Sequence, residues 1–240
     1  MRTGNPALTD NTFDVGHAAD SSGAMTVQGT VNKTLILLFC VIVSAAWVWG
    51  NPVQLAPLFF PALIGGFVVG LVTIFKKEWA PVTAPIYALL EGVLLGGISF
   101  FFEKSYPGIV MQAVGLTFGI LLALLLVYKT GLIQVTDNFR LGVVAATGGI
   151  ALYYLLAIVL GFFHIQVPLI YDSGPLGIAF SLFVVFIASL NLVLDFDFIE
   201  QGAERGAPRF MEWYGAFGLM VTLIWLYLEI LRLLSKSRRR

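Results

Sequence analysis

The sequence has few of the residues on which soluble catalytic domains depend. Its 240 residues include one cysteine and two histidines, and only 12% are charged, against about 25% in soluble domains. Cys40 cannot form a disulfide within the chain, so we interpret it as a small apolar residue of a helix. His17 and His164 are far apart in the sequence, which argues against a metal site built on histidine.

Motifs of enzymes are also missing. We find no Ser/His/Asp set, HExxH helix, phosphate-binding loop or dinucleotide fingerprint. The contexts YD and GxGD of intramembrane aspartyl proteases are absent as well, since Tyr171-Asp172 falls in a predicted loop. We therefore expect neither enzymatic activity nor a cofactor. The formal net charge is zero, and without a basic patch we expect no nucleic-acid partner.

Apolar residues, in contrast, are abundant. They make up 58% of the chain, and the mean hydropathy is +0.90. A helix needs about 20 apolar residues to cross the roughly 30 Å of hydrocarbon in a bilayer. Seven runs are long enough, with Pro, Gly, Asn or charged residues between them. The predicted spans are residues 34–50, 56–75, 82–102, 108–128, 141–163, 176–198 and 213–234.

The short loops between the runs leave no room for a soluble domain, so the predicted fold is one all-α bundle of seven transmembrane helices over residues 34–236. Residues 1–33 are polar and lack the features of a cleaved secretory signal. We interpret them as a mobile tail that could engage a membrane-protein partner. Residues 237–240 form a basic end. Small residues at a spacing of four permit close helix contact, and they occur at Gly66/Gly70, Gly92/Gly96 and Gly115/Gly119.

Two acids, Asp195 and Glu229, lie inside the last two apolar runs. A carboxylate near the middle of a membrane costs roughly 2.5–3.5 kcal/mol on insertion scales, and such residues usually have a partner and a function. Asn191 shares a helix face with Asp195, whereas Asp197 points roughly opposite because two residues turn a helix by about 200°. Glu91 lies in the middle of the third run. It is either a third member of the polar site or a carboxyl group kept neutral by burial.

The depths of the two main acids do not match on a simple count. At 1.5 Å per residue they differ by roughly 15–20 Å, unless the sixth helix extends to about Glu204, which would shrink the difference to a turn or two. Two simpler interpretations stay open. Glu229 could form a local ion pair with Arg232, three residues away. Asp195 and Asp197 could instead form an interfacial acidic cluster that balances Arg205 and Arg209.

The motifs LVLDFDFIEQG and WLYLEILRLL resemble the last two helices of the Bax inhibitor-1 family, which includes the transmembrane Bax-inhibitor-motif proteins and YccA-like bacterial relatives. The family's sixth helix carries an aspartate in a pattern like F-D-T-Q-L-I, and Asp195 stands at that position. The seventh carries L-D-F or L-D-I, where this chain has Leu228-Glu229-Ile230. The similarity extends over residues 34–236 and is greatest to the longer bacterial branch.

The resemblance implies a seven-helix fold with the last helix in the centre. It also implies a pH-sensitive calcium leak in which two buried carboxyl groups, here Asp195 and Glu229, share a proton, gate the pore and transiently ligate Ca²⁺. Glu91, Asp197 and Asn191 are candidates for additional polar positions. The expected partners are the lipid bilayer and permeating calcium, and the expected location is a bacterial inner or plasma membrane. Other classes stay open: a non-conducting regulator of a membrane protease and a proton-coupled transporter.

Overall fold

The structure is a computed structural model that describes residues 23–165, 167, 169–170 and 172–239. Seven α-helices make up most of this part of the chain, and each is long and apolar enough to cross a membrane. The prediction of an all-α membrane protein with seven helices is therefore confirmed. The helices are α1 (Val27–Gly50), α2 (Phe59–Phe75), α3 (Ala80–Ser105), α4 (Ile109–Lys129), α5 (Asp137–Phe162), α6 (Pro175–Glu204) and α7 (Met211–Arg238).

Two helices, α1 and α6, extend furthest beyond their predicted spans, by seven and six residues, because polar residues continue them. α1 begins at Val27 rather than near residue 34, and the Thr26 side chain caps it by accepting a hydrogen bond from Gly29 N at 2.9 Å. Residues 27–33 of the predicted polar tail are thus helical, and its residues 1–22 lie outside the described part of the chain. α6 continues through its acidic segment to Glu204, as the absence of proline before Pro208 allowed.

Burial is highest in the last two helices. Within its most apolar stretch, α7 has 61% of its residues buried and α6 has 56%, whereas the other five helices have 17–39%. Large apolar side chains on those five helices stay exposed, as expected of a lipid-facing surface; they include Phe39, Phe67, Leu126 and Leu156. The high burial of α7 agrees with the prediction that the last helix is surrounded by other helices.

The chain divides into two compact units, and α6 and α7 each contribute to both. Unit 1 comprises Tyr106–Phe196 and Thr222–Arg240, and therefore contains α4, α5, most of α6 and the second part of α7. Unit 2 comprises the described residues up to Ser105 and Asp197–Val221, and therefore contains α1, α2, α3, the end of α6 and the start of α7.

In unit 2, two glycines bring α3 against α1. A Cβ atom added to Gly92 would lie 2.5 Å from the Val41 carbonyl oxygen, and one added to Gly96 would lie 2.6 Å from that of Ala45. Only a residue without a side chain allows these backbones to approach so closely. On α4, by contrast, no described atom lies within 4 Å of a Cβ placed on Gly115 or on Gly119. That pair therefore marks no close helix contact.

Candidate functional site

Asp195 belongs to unit 1, close to the residue at which α6 passes into unit 2. The helix α6 runs through it without interruption, and its exposed fraction is 0%. Asn191 precedes it by one turn on the same face and is 2% exposed. Because Asp195 is fully buried, the interpretation that places it in an interfacial acidic cluster is wrong.

Asn191 connects α6 to α5. Its Nδ2 atom donates one hydrogen bond to Thr147 Oγ1 at 2.8 Å and another to the Ile187 carbonyl oxygen at 2.9 Å. A buried amide needs such partners, since a lost hydrogen bond inside the protein leaves the desolvation cost uncompensated. The predicted polar face of α6 is thus present, and Thr147 is a member of it that the sequence analysis did not identify.

Glu229 lies on α7 in the same unit and is 2% exposed. Its Oε1 atom accepts hydrogen bonds from the Tyr154 hydroxyl at 3.0 Å and from Arg232 Nη1 at 2.9 Å. Arg232 also donates to the Tyr154 hydroxyl oxygen at 2.6 Å, and its guanidinium lies 5.0 Å from the centre of the tyrosine ring. The local ion pair between Glu229 and Arg232 is therefore confirmed.

Tyr154 was missed at the sequence level. It stands next to Tyr153 inside the fifth apolar run, where a phenol hydroxyl needs a hydrogen-bond partner because lipid supplies none. This need for a hydrogen-bond partner is the feature of the sequence that could have pointed to Tyr154 as a site residue. The partner could not be identified, because Tyr154 and Glu229 are 75 residues apart in the sequence.

The two acids lie at different levels of unit 1. The last turns of α7 lie beside the start of α6, since Lys236 Nζ donates to the Gly177 carbonyl oxygen at 3.0 Å. Trp225 packs against the cluster that contains Ile187. From the level at which Ile187 and Trp225 meet, Asp195 lies further along α6 and Glu229 lies further along α7. Because the two helices run in opposite directions, the two acids are separated by about 15–20 Å along the helix axes.

The extension of α6 to Glu204 therefore does not remove the difference in depth. In the described conformation, the Glu229 carboxylate is held by Tyr154, Arg232 and the Trp225 side chain. A proton shared directly between Asp195 and Glu229 stays a prediction.

The other candidate acids lie in unit 2. Asp197 is half-buried and accepts a hydrogen bond from Gln201 Nε2 at 2.7 Å, within the last turns of α6. Glu91 is half-buried on α3 and forms a side-chain hydrogen bond with Tyr87. A Cβ atom on Gly66 of α2 would lie 3.5 Å from Glu91 Oε1, so the carboxyl group of Glu91 lies next to the α2 backbone. Glu91 and Asp197 thus have local partners of their own.

Glu212 is a buried acid that the sequence analysis overlooked. It lies in the first turn of α7 and is 2% exposed. Its Oε1 atom accepts hydrogen bonds from both the backbone nitrogen and the hydroxyl of Thr26, each at 2.9 Å, and Oε2 pairs with Lys33. A Cβ atom on Gly29 would lie 2.0 Å from Oε1. The glycine therefore makes room for the carboxylate.

In the part of the chain that the structure describes, no three His, Cys, Asp or Glu side chains converge in a group that could hold a metal ion. A cation that met Asp195 or Glu229 would keep most of its ligands as water. Ca²⁺ takes six to eight oxygen ligands, so one carboxylate suits a passing ion better than a resident one.

These features define an integral membrane protein with seven helices and buried acids on the last two. A family model described as Bax inhibitor 1 like matches residues 5–239. The chain therefore belongs to the Bax inhibitor-1 family, as the motifs around Asp195 and Glu229 predicted. No curated protein and no solved structure gives a match to the chain.

Proposed function

We propose that this protein is a pH-sensitive calcium leak channel of the Bax inhibitor-1 type, in which Asp195 and Glu229 are the gating acids. The observation that carries the proposal is the burial of both acids, at 0% and 2% exposure, on the two most buried helices. Ionisable side chains at such positions are costly, and those that persist usually line an ion or proton pathway.

The direction of the pH dependence follows from the chemistry of a buried carboxyl group. A protonated carboxyl is neutral and tolerates a dry site, whereas a carboxylate is stabilised by water or by a cation. An open conformation of the channel supplies both water and a cation to the carboxylate. Ionisation of Asp195 should therefore favour opening, and the calcium leak should rise as pH rises. Carboxylate oxygens are ligands that Ca²⁺ prefers.

Glu229 has a different role in this proposal. Its charge is neutralised by Arg232, so the carboxylate cannot ligate calcium until the arginine has moved away. Helix shifts in conformational switches are commonly 1–2 Å, much less than the separation of the two acids along the helices. We therefore place Asp195 and Glu229 at two levels of one pathway. A shared proton would require a larger rearrangement.

The similarity to the bacterial branch of the family supports a bacterial inner or plasma membrane as the location. The partners in this proposal are the lipid bilayer and permeating calcium, with no cofactor and no catalytic activity. Residues 1–33 are a candidate segment for contact with another membrane protein.

Calcium flux into liposomes, measured from mildly acidic to mildly alkaline pH, tests the proposal. The wild-type leak should increase with pH, and Asp195→Asn should remove most of this dependence because an amide cannot ionise. Glu229→Gln should also change the profile. Asp197→Asn is the matched control, since it makes the same chemical change one half-turn away, and it should leave the profile unchanged.

Two results would contradict the proposal: a wild-type flux no greater than that of empty liposomes, or a pH profile that neither Asp195→Asn nor Glu229→Gln alters. Saturable, substrate-specific counterflow would favour a transporter instead. An absence of flux together with a partner cross-linked through residues 1–33 would favour a regulator.

A further inference from the structure

An apolar layer crosses the interior of unit 1. It consists of Ile150 of α5, Val184 and Ile187 of α6, and Trp225 of α7. The three aliphatic side chains are 4%, 0% and 5% exposed, and the tryptophan packs against them. Tyr154 of α5 also packs against the three aliphatic side chains. Three helices thus meet at a layer that offers water no hydrogen bond, apart from the indole nitrogen of the tryptophan and, on the side of Glu229, the tyrosine hydroxyl.

Polar groups lie on one side of the layer. Asn191 is one turn beyond Ile187 on α6 and is hydrogen-bonded to Thr147 of α5. Asp195 follows after another turn on the same face of α6. This first polar level is therefore built from α5 and α6 and ends in a buried acid.

A second polar level lies on the other side. Tyr154 of α5 donates to Glu229 of α7, which pairs with Arg232. On α5, Thr147 and Tyr154 flank Ile150 and are separated by about 10 Å along the helix axis. The indole of Trp225 touches both regions, because it packs in the layer and hydrogen-bonds Glu229.

We infer that this apolar layer is the gate of the leak pathway, closed between the level of Asp195 and the level of Glu229. The inference rests on the proposed function and adds the barrier that the two acids control. A narrow apolar constriction excludes ions because water does not wet it. A cation that left the polar groups on one side would meet no other polar group over most of the distance to the polar level on the other side. Opening then requires Val184 and Ile187 to separate from Ile150 and Trp225.

Simple core packing is the alternative explanation of the same cluster, and the two differ in what a hydroxyl group does there. In a gate, a hydroxyl lowers the cost of wetting and increases the leak. In a core without a conducting role, it lowers stability and leaves the flux unchanged. Val184→Thr is suitable because it keeps the size and branching of the side chain.

The matched control is Val193→Thr. Both valines lie on α6 and are 0% exposed, but they point to opposite faces, since about nine residues turn a helix by half a rotation. At acidic pH, where the leak is smallest, Val184→Thr should increase calcium flux about tenfold, which corresponds to roughly 1.4 kcal/mol in the barrier. Val193→Thr should leave flux at the wild-type value. Thermal unfolding in detergent shows whether each variant is folded.

Cysteine labelling provides a second test that avoids polar substitutions. In a Cys40→Ser background, which removes the chain's one native thiol, Ile187→Cys should react with a water-soluble thiol reagent faster as pH rises. Each rate is divided by that of a small free thiol in the same buffer, because a larger thiolate fraction alone speeds the reaction of any thiol. Val193→Cys should react slowly at every pH. This readout depends on wetting of the layer and not on the permeant ion.

The two tests separate the failure of the gate from the failure of the proposed function. If the wild type has normal flux, either of two results would overturn the gate alone. One is a folded Val184→Thr variant that leaks at the wild-type rate, and the other is labelling of Ile187→Cys that rises with pH no more than that of the free thiol. A wild-type protein without calcium flux would overturn the calcium leak. In that protein, labelling of Ile187→Cys that still rises with pH more than that of the free thiol would support a gate that admits water.

Discussion

Lys33 of α1 forms an ion pair with Glu212 of α7, and the two side chains are only 15% and 3% exposed. The same carboxylate accepts hydrogen bonds from Thr26, and the Lys33 ammonium lies 5.6 Å from the centre of the Trp213 ring. Next to this pair, Met25 N donates to the Ala207 carbonyl oxygen at 2.6 Å. These contacts connect the start of α1 to the start of α7 within unit 2.

Glu212→Gln should destabilise the protein by about 3 kcal/mol, because removing one partner of a buried ion pair leaves the other charge uncompensated. The measurement is unfolding in detergent with increasing denaturant. Asp137→Asn is the control, since it removes an ion pair with Arg140 at 3.7 Å in which the aspartate is fully exposed; exposed pairs contribute little. Equal stability of Glu212→Gln and wild type would show that the pair is not important for folding.

Gly96→Ala should lower stability by about 1–3 kcal/mol, the usual cost of overpacking a tight interface. The added methyl group would lie 2.6 Å from the Ala45 carbonyl oxygen and force α3 away from α1. Gly119→Ala makes the same change on α4, where the space is open, and should stabilise its helix by roughly 0.5–1 kcal/mol. Midpoints of thermal unfolding check both values. If the two variants shifted in the same direction, the assignment of Gly96 to a close contact would be wrong.

Arg232→Gln should destabilise unit 1 more at neutral than at acidic pH. At neutral pH the Glu229 carboxylate loses its cationic partner, at a cost of about 3 kcal/mol. At acidic pH the carboxyl group can take up a proton instead, so the difference in unfolding free energy from wild type should shrink. Arg238→Gln is the control: this exposed arginine bonds Pro107 and Gln112, and its loss should have a small effect at both pH values. A deficit for Arg232→Gln that did not change with pH would contradict a role of the Glu229 charge.

Features that depend on neighbouring residues in the sequence could be predicted. The seven spans follow from the length of each apolar run and from the breaks between them. The continuation of α6 to Glu204 follows from the absence of proline, and the pair of Glu229 with Arg232 follows from their spacing of three residues on one helix. The family could also be predicted, because its motifs are short and contiguous in α6 and α7.

Features that depend on distant contacts could not. The composition of residues 27–33 predicts a polar tail, whereas the segment is helical; its Lys33 has a partner, Glu212, that lies on the last helix and gives no local signal. The hydrogen bond between Tyr154 and Glu229 has no local signal for the same reason. Glycine spacing was equally ambiguous: Gly92/Gly96 and Gly115/Gly119 are identical patterns, but only the first meets another helix.

The buried ammonium group of Lys236 has a practical consequence for work on this protein. Lys236 is 4% exposed, and its Nζ atom donates to the carbonyl oxygens of Leu169 and Gly177. A fluorescent reporter or affinity handle inserted within a few residues of Lys236 would therefore disturb a helix turn that is part of the folded interior. Such fusions need a long spacer, and inactivity of a protein tagged there without one should first be attributed to the tag.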